Sequence, residues 1–343
     1  MLKTLSLVAV IATLSACSHL KNTSNTLVQV DHKAEPIQTL YDYQVMASDQ
    51  QSAIEFSDLV TQLAAKDVIF IGEHHSHQAS HLLQLQLIAA LYHQNPNIII
   101  SMEQFTRDSQ RVIDLYLSGK YGEATLIKEA HAWDHYKGSY RPILEFARIH
   151  HIPVVAANAP AMHVRCVGKQ GLSVLDKLPQ EERVWSAKEI DIDNQAYRAK
   201  FFSFMKGAGN SHGQTPEQQQ KTMLNTFSAQ LLRDTTMAES IANTLSTHKN
   251  AQVIHLNGAF HSDGHMGTVA VLNNLMPELD ISVLSPLSVE IGKPKIPTAK
   301  EFSQGDYLYL IANLPERYID VDKRKQSINR LIKKRMSEEC EIK

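Results

Sequence analysis

Four short runs of nearly unbroken apolar residues recur along the chain, separated by segments of helical periodicity. Asp67-Val-Ile-Phe-Ile71 is followed by the helical Gln78–His93, and Asn97-Ile-Ile-Ile-Ser101 by the helical Ser109–Leu117. Helical Ile143–His150 leads into Ile152-Pro-Val-Val-Ala-Ala157, and Gln252-Val-Ile-His-Leu256 leads to the helical Thr268–Leu275. A strand that is apolar on both faces must be covered on both, and crossover helices do this for parallel strands. The chain therefore reads as α/β, with a mostly parallel sheet and helices on both faces. Asp306–Ile311 adds a late strand. From residue 176 to 234 the strand runs stop. Helical segments rich in Gln, Lys and Phe there surround Gly207–Gly213, which predicts a smaller all-helical insertion subdomain. The α/β domain is then expected over 37–175 and 235–315.

Both ends carry separate signals. Lys3, the short apolar stretch Leu5–Leu14 and Leu14-Ser15-Ala16-Cys17 have the form of a bacterial lipoprotein signal. Residues 1–16 are then removed, Cys17 carries the acyl chains (palmitate among them), and polar residues 17–36 form a tether. Ser18 matches sorting to the outer membrane. No later run is long and apolar enough to cross a bilayer. At the other end, 316–343 is basic, with Ile328, Leu331 and Ile332 on one helical face. It reads as a solvated terminal helix packed on the domain, in preference to one resting on a membrane surface. Lys and Arg number 34 against 36 Asp and Glu, so the chain lacks the basic excess of a nucleic-acid binder. Cys166 and Cys340 sit in a compartment that permits a disulfide, but two distant cysteines define no framework, and Cys166 reads as a small core residue.

Ligands of open parallel sheets bind outside the carboxyl ends of the strands. The residues just past those ends are Gly72-Glu73-His74-His75-Ser76-His77, Met102-Glu103-Gln104, Asn158-Ala159-Pro160 and Asn257-Gly258-Ala-Phe-His261. Six of the 17 histidines (His74, His75, His77, His81, His261 and His265) fall on two of these junctions. Histidine is the commonest metal ligand. His77 and His81 stand four apart on a helical face, and Glu73, His74 and His261 compose the candidate site for a divalent metal. His255, inside a strand, reads as a core histidine. Asp191-Ile-Asp193-Asn194 lacks the rest of a calcium loop. There is no nucleophile elbow, phosphate loop or dinucleotide fingerprint.

In order and spacing these motifs resemble the ChaN-like haem-binding uptake lipoproteins of the Tiki superfamily. The resemblance runs through Ile71-Gly-Glu-His74, Met102-Glu-Gln-Phe105, Tyr116-Leu-Ser-Gly119, Trp133, Tyr136, Tyr140, Arg233-Asp234 and Leu256-Asn-Gly-Ala-Phe-His261, over roughly residues 50 to 285. It implies non-covalent haem binding in iron acquisition, at a dimer interface, with an outer-membrane haem receptor as a further partner. Tyr140, Tyr136, Tyr197 and His212 are the candidate haem ligands. Phe201, Phe202, Phe204 and Met205 would supply an apolar wall, or simply core. The absence of Cys-x-x-Cys-His excludes covalent attachment. Hydrolytic relatives in the superfamily imply an alternative, a metal-dependent hydrolase using Glu73, His74, Glu103 and His261.

Overall fold

In the computed structural model, residues 35–191, 194–207 and 215–342 are described. Cys17 and His212, the expected lipidation site and one of the expected haem ligands, lie outside them. The strands are β1 (Tyr43–Ala47), β2 (Ser52–Ala53), β3 (Val68–Glu73), β4 (Ile98–Thr106), β5 (Val154–Asn158), β6 (Gln252–Gly258), β7 (Ile281–Val289) and β8 (Tyr307–Ala312). They form one sheet in the order β2-β1-β8-β7-β3-β6-β4-β5. Every pair from β8 to β5 is parallel, while β1 joins β8, and β2 joins β1, antiparallel. The mostly parallel sheet expected from the apolar runs is present. The longer helices are α1 (Phe56–Leu63), α2 (Gln78–Gln94), α3 (Gln110–Leu117), α4 (Arg141–His150), α5 (Ala161–Gln170), α6 (Gln195–Gly207), α7 (Pro216–Thr247), α8 (Thr268–Leu275) and α9 (Val321–Ser337).

The two-residue period of a strand divides the core in two. Ile69 and Ile71 of β3, Ile100 and Met102 of β4 and Ile254 and Leu256 of β6 pack with Leu83 and Leu87 of α2 and Leu144 of α4. Val68 and Phe70, Ile99 and Val253 point the other way, onto Ala238 and Ile241 of α7 and Val269 and Leu272 of α8. This alternation also aims the polar residues at the strand ends. Glu73 continues the Ile69–Ile71 row toward α2, whereas Glu103 continues the Ile99–Ser101 row toward α7.

Three features differ from the sequence reading. β7 was hidden because Pro286 and three serines interrupt its apolar pattern. Helix α7 begins at a Thr215 capping box and runs unbroken to Thr247, through the boundary expected at 234/235. Residues 216–234 thus share one helix with 235–247, which covers the sheet. Finally, Cys166 and Cys340 are joined by a disulfide, with Cα atoms 4.9 Å apart. Cys166 is buried as expected, but it also ties the C-terminal segment to α5.

Candidate functional site

The register of the sheet brings the acidic strand ends together. Glu73 stands opposite Gly258 in the β3–β6 pair, and Met102 opposite Leu256 in the β4–β6 pair, so Glu103 lies one residue short of the same level. Two polar networks grow from these carboxylates, one on each side of the sheet edge.

On the α2 side, Glu73 is fully enclosed. His75 Nδ1 donates to its Oε1 at 2.8 Å, Gln84 Nε2 of α2 donates to Oε2 at 2.7 Å, and the Tyr140 hydroxyl donates to Oε1. His81 approaches Oε2 at 3.5 Å and meets Gln84 Oε1 at 3.0 Å. Burial alone would raise the Glu73 pKa. The His75 hydrogen bond and the charges of His81 and His75 outweigh it, and the carboxyl is held below its ordinary range. Burial and the Glu73 carboxylate push the Tyr140 phenol far above its usual value, so it stays a protonated donor.

On the α7 side, His261 is clamped between two carboxylates. Its Nδ1 donates to Asp234 Oδ1 at 2.6 Å, and its Nε2 faces Glu103 Oε1 at 3.3 Å. Glu103 Oε2 accepts the Gly258 amide at 2.6 Å. Asp234 also accepts from Thr268 Oγ1 and the Tyr197 hydroxyl, both at 2.9 Å. Burial opposes charge on His261, but Glu103 first and Asp234 second overcome it and push its pKa up to about 10. Reciprocally, despite its burial, Glu103 is held well below the usual carboxylate range by His261. His261 is therefore an imidazolium at neutral pH and a hydrogen-bond donor, not a base.

His75 sits between the networks. Its side chain keeps 45% of its exposure. Its ring packs edge-on against Trp133, centroids 5.0 Å apart. Burial lowers its pKa, but the bond to Glu73 and the nearby Glu103 charge raise it above the ordinary imidazole value. Space for the ring exists because residue 258 is glycine. A Cβ built there would stand 2.8 Å from both Cε1 and Nε2 of His75. Gly258→Ala should displace the ring from Glu73, at a cost of about 1–3 kcal/mol of overpacking. The expected readout is a His75 imidazole pKa, followed by NMR titration, that falls back toward about 6.5. An unchanged titration would mean that the ring has another way to stay on Glu73.

The expected metal set does not converge. His74 turns away to Ser288 Oγ at 3.1 Å, while Glu73 and His261 belong to separate networks. Among the described residues no three His, Cys, Asp or Glu side chains are placed to hold a metal ion. His77 and His81 also part. His77 is the N-cap of α2, accepting from Ala79 N, and its Nε2 donates to the Ala312 carbonyl at 2.7 Å, whereas His81 faces Glu73. His255 is a core residue bonded to Ser101 Oγ at 2.9 Å, with a pKa pushed down to about 3 by burial. His265 pairs with Asp306 at 3.3 Å, outside both networks.

The three tyrosines expected as ligands are all interior. Tyr140 and Tyr197 spend their hydroxyls on Glu73 and Asp234, and Tyr136 is buried in the α2-side core. Of the expected aromatic wall, Phe201 is buried against Tyr197 and Phe227, while Phe204 is exposed and lies over Phe260. Asp234, His75 and Gln84 had not been singled out as site residues. An acid within an otherwise buried helical face, and the histidine two residues after Glu73, were the signals that would have found them.

Two buried carboxylate–imidazole networks at the carboxyl edge of a parallel sheet define an α/β protein whose candidate site lies where this architecture usually binds ligands. The chain belongs to the family described as haem-binding uptake, Tiki superfamily, ChaN, whose model matches residues 59–272. Among solved structures it is similar to ChaN of Campylobacter jejuni with cofacially bound haem. The TM-score is 0.58 at 16% identity, over 81% of this chain and 100% of that one. It is also similar to an erythromycin esterase mutant, EreC, at TM-score 0.42 and 12% identity, over 84% of this chain and 86% of that one. A Bacillus cereus protein matches at TM-score 0.40 and 10% identity, over 82% and 95% of the two chains. Comparison with curated protein sequences finds no match.

Proposed function

We propose that this chain binds haem non-covalently in haem and iron uptake, as a lipoprotein held at the outer membrane through Cys17. The family match carries the reading, because its span of 59–272 contains every strand end that builds the site. The donor set fits the group. His75 is a half-exposed imidazole whose Nδ1 is fixed by a carboxylate and whose Nε2 has no hydrogen-bond partner among the described residues. An imidazole held in this way by an outer carboxylate is how proteins orient a metal-binding histidine. Trp133, edge-on to His75, and Phe260, next to His261 in sequence, offer aromatic surface for a flat macrocycle. Haem bound here would supply the iron that His75 ligates. Glu73 orients the ring, and Tyr140 and Gln84 orient Glu73. The phenols Tyr140, Tyr136 and Tyr197 then act from the interior.

A site open on one side is covered when two copies meet. The reading therefore includes a homodimer formed with haem, of the cofacial kind named for the Campylobacter jejuni protein, and an outer-membrane haem receptor as the exchange partner.

Haem titration of the Cys17→Ser chain should give a saturable shift of the Soret band. Glu73→Gln should weaken binding about 10- to 100-fold, as loss of an outer-sphere partner does, and His75→Ala at least as much. Tyr140→Phe keeps the iron ligand. Ligation needs a neutral Nε2, and Glu73 and Glu103 hold the His75 proton on. Affinity should therefore rise with pH through and beyond the ordinary imidazole range. A titration with no saturable component overturns the reading.

A further inference from the structure

Among its described side chains, helix α9 has no buried face. From Val321 to Leu331 every side chain except the half-buried Ser327 is exposed. Its apolar residues are no exception, with Val321 at 58%, Ile328 at 45% and Leu331 at 50%. Leu314 and Ile319, in the segment leading into it, are exposed at 43% and 89%. Ile328 and Leu331, three apart, share a helical face with Val321, seven before Ile328. Together with Leu314 and Tyr318, Ile328 and Leu331 line a shallow groove of about 400 Å³. The expected packing of this helix on the domain is thus not what Ile328 and Leu331 do, while the side chain of Ile332 lies outside the described ones.

The charge is equally one-sided. Val321–Ser337 carries seven basic side chains and one acidic, in a chain whose formal net charge is −2. The helix is also held in place at both ends. β8 ends at Ala312, with eight residues between it and the helix, and the Cys166–Cys340 disulfide returns the chain to α5 three residues after the helix. Arg324 Nη2 caps the preceding turn by donating to the Tyr318 carbonyl at 2.8 Å.

We infer that α9 and the residues before it form a second membrane-contact surface, lying on anionic lipid. An exposed apolar stripe bordered by Lys and Arg matches the boundary between acyl chains and phosphate headgroups, where both parts of the helix are satisfied at once. A polyanion without an apolar phase would answer the charge and leave Ile319, Ile328 and Leu331 in water. The pre-ordered ends mean that little chain entropy is lost on docking. This inference is independent of acylation at Cys17 and of haem binding.

The test is sedimentation of the Cys17→Ser chain with phosphatidylcholine vesicles, with and without phosphatidylglycerol. Binding is expected only with the anionic lipid, and should be lost at high salt. Replacing Lys323, Lys325 and Arg330 by Gln should weaken it about 100-fold. Ile328→Asp and Leu331→Asp should each weaken it by about ten-fold or more, with an unchanged thermal unfolding transition, since neither side chain is part of the core. Equal binding to neutral vesicles, no binding to anionic ones, insensitivity to the two Asp substitutions, or tighter binding to a short DNA duplex than to the vesicles would each overturn the inference.

Discussion

His261→Leu is expected to destabilise the fold by about 3–5 kcal/mol, the range for removing one member of a buried ionic network. The loss comes less from the contact removed than from what it leaves. Glu103 and Asp234 are 4% and 0% exposed, and the imidazolium is the cation paired directly with both. Without it, at least one carboxylate must take up a proton or stay charged in the interior. Glu103→Gln should cost less, because the Gln amide retains the acceptor for Gly258 N and Asp234 still pairs with His261. The double variant should be more stable than the sum of the two losses, and a double-mutant cycle in urea measures that coupling. Strict additivity would show that the two side chains do not share a charge network.

The same network sets the response to pH. The folded pKa of His261, about 10, lies above its unfolded value near 6.5. Its contribution is therefore complete below about 6.5 and is lost as pH rises toward 10. Glu103 is depressed, so its contribution is complete above its unfolded pKa near 4.5 and is lost as pH falls below it. His255 works in the same direction at acid pH. It is neutral in the fold down to about 3, and protonation of the unfolded chain below about 6.5 favours unfolding. The wild-type midpoint in urea should therefore fall on both sides of a mildly acidic to neutral maximum. In the His261→Leu chain the alkaline limb should flatten.

How far this site could be read from sequence follows from what each signal encodes. The apolar runs identified β3, β4, β5 and β6, because burial on both faces writes itself into consecutive residues. Their carboxyl ends then located Glu73, Glu103 and His261 without any knowledge of packing. The choice between His74 and His75 is of another kind. It depends on which of two adjacent side chains the backbone turns back toward Glu73, and neighbouring residues of one type carry no mark of that. Asp234 as the partner of His261 was out of reach for a related reason. It comes from α7, whose register against the sheet is fixed by Ala238 and Ile241 on Phe70 and Val253, contacts distant in sequence. The tyrosines were candidate ligands because haem iron accepts a phenol. Their rings are buried, and the hydroxyls of Tyr140 and Tyr197 are each used internally by a carboxylate that the sequence could not assign to it.

Cys340→Ser should lower the stability of the chain by about 3–5 kcal/mol, although the C-terminal segment contributes little to the sheet. The link joins residues separated by 174 positions, so in the unfolded chain it closes a very long loop. The loop-entropy relation gives about 5 kcal/mol as an upper figure for a closure of this length. Residual structure in the denatured ensemble reduces the amount realised. The two cysteines also separate linkage from packing. Cys166 is fully buried among Val167, Val174, Leu175 and Leu232, whereas Cys340 is half-buried at the margin of that cluster. Cys340→Ser removes the link alone. Cys166→Ser removes the link and also places a hydroxyl in an apolar pocket, so it should cost about 1–3 kcal/mol more. Under reducing conditions the first variant should become indistinguishable from the wild type in urea, and the second should stay weaker by that increment. A Cys340→Ser chain as stable as the oxidised wild type would mean that the disulfide orders the C-terminal helix without supporting the fold.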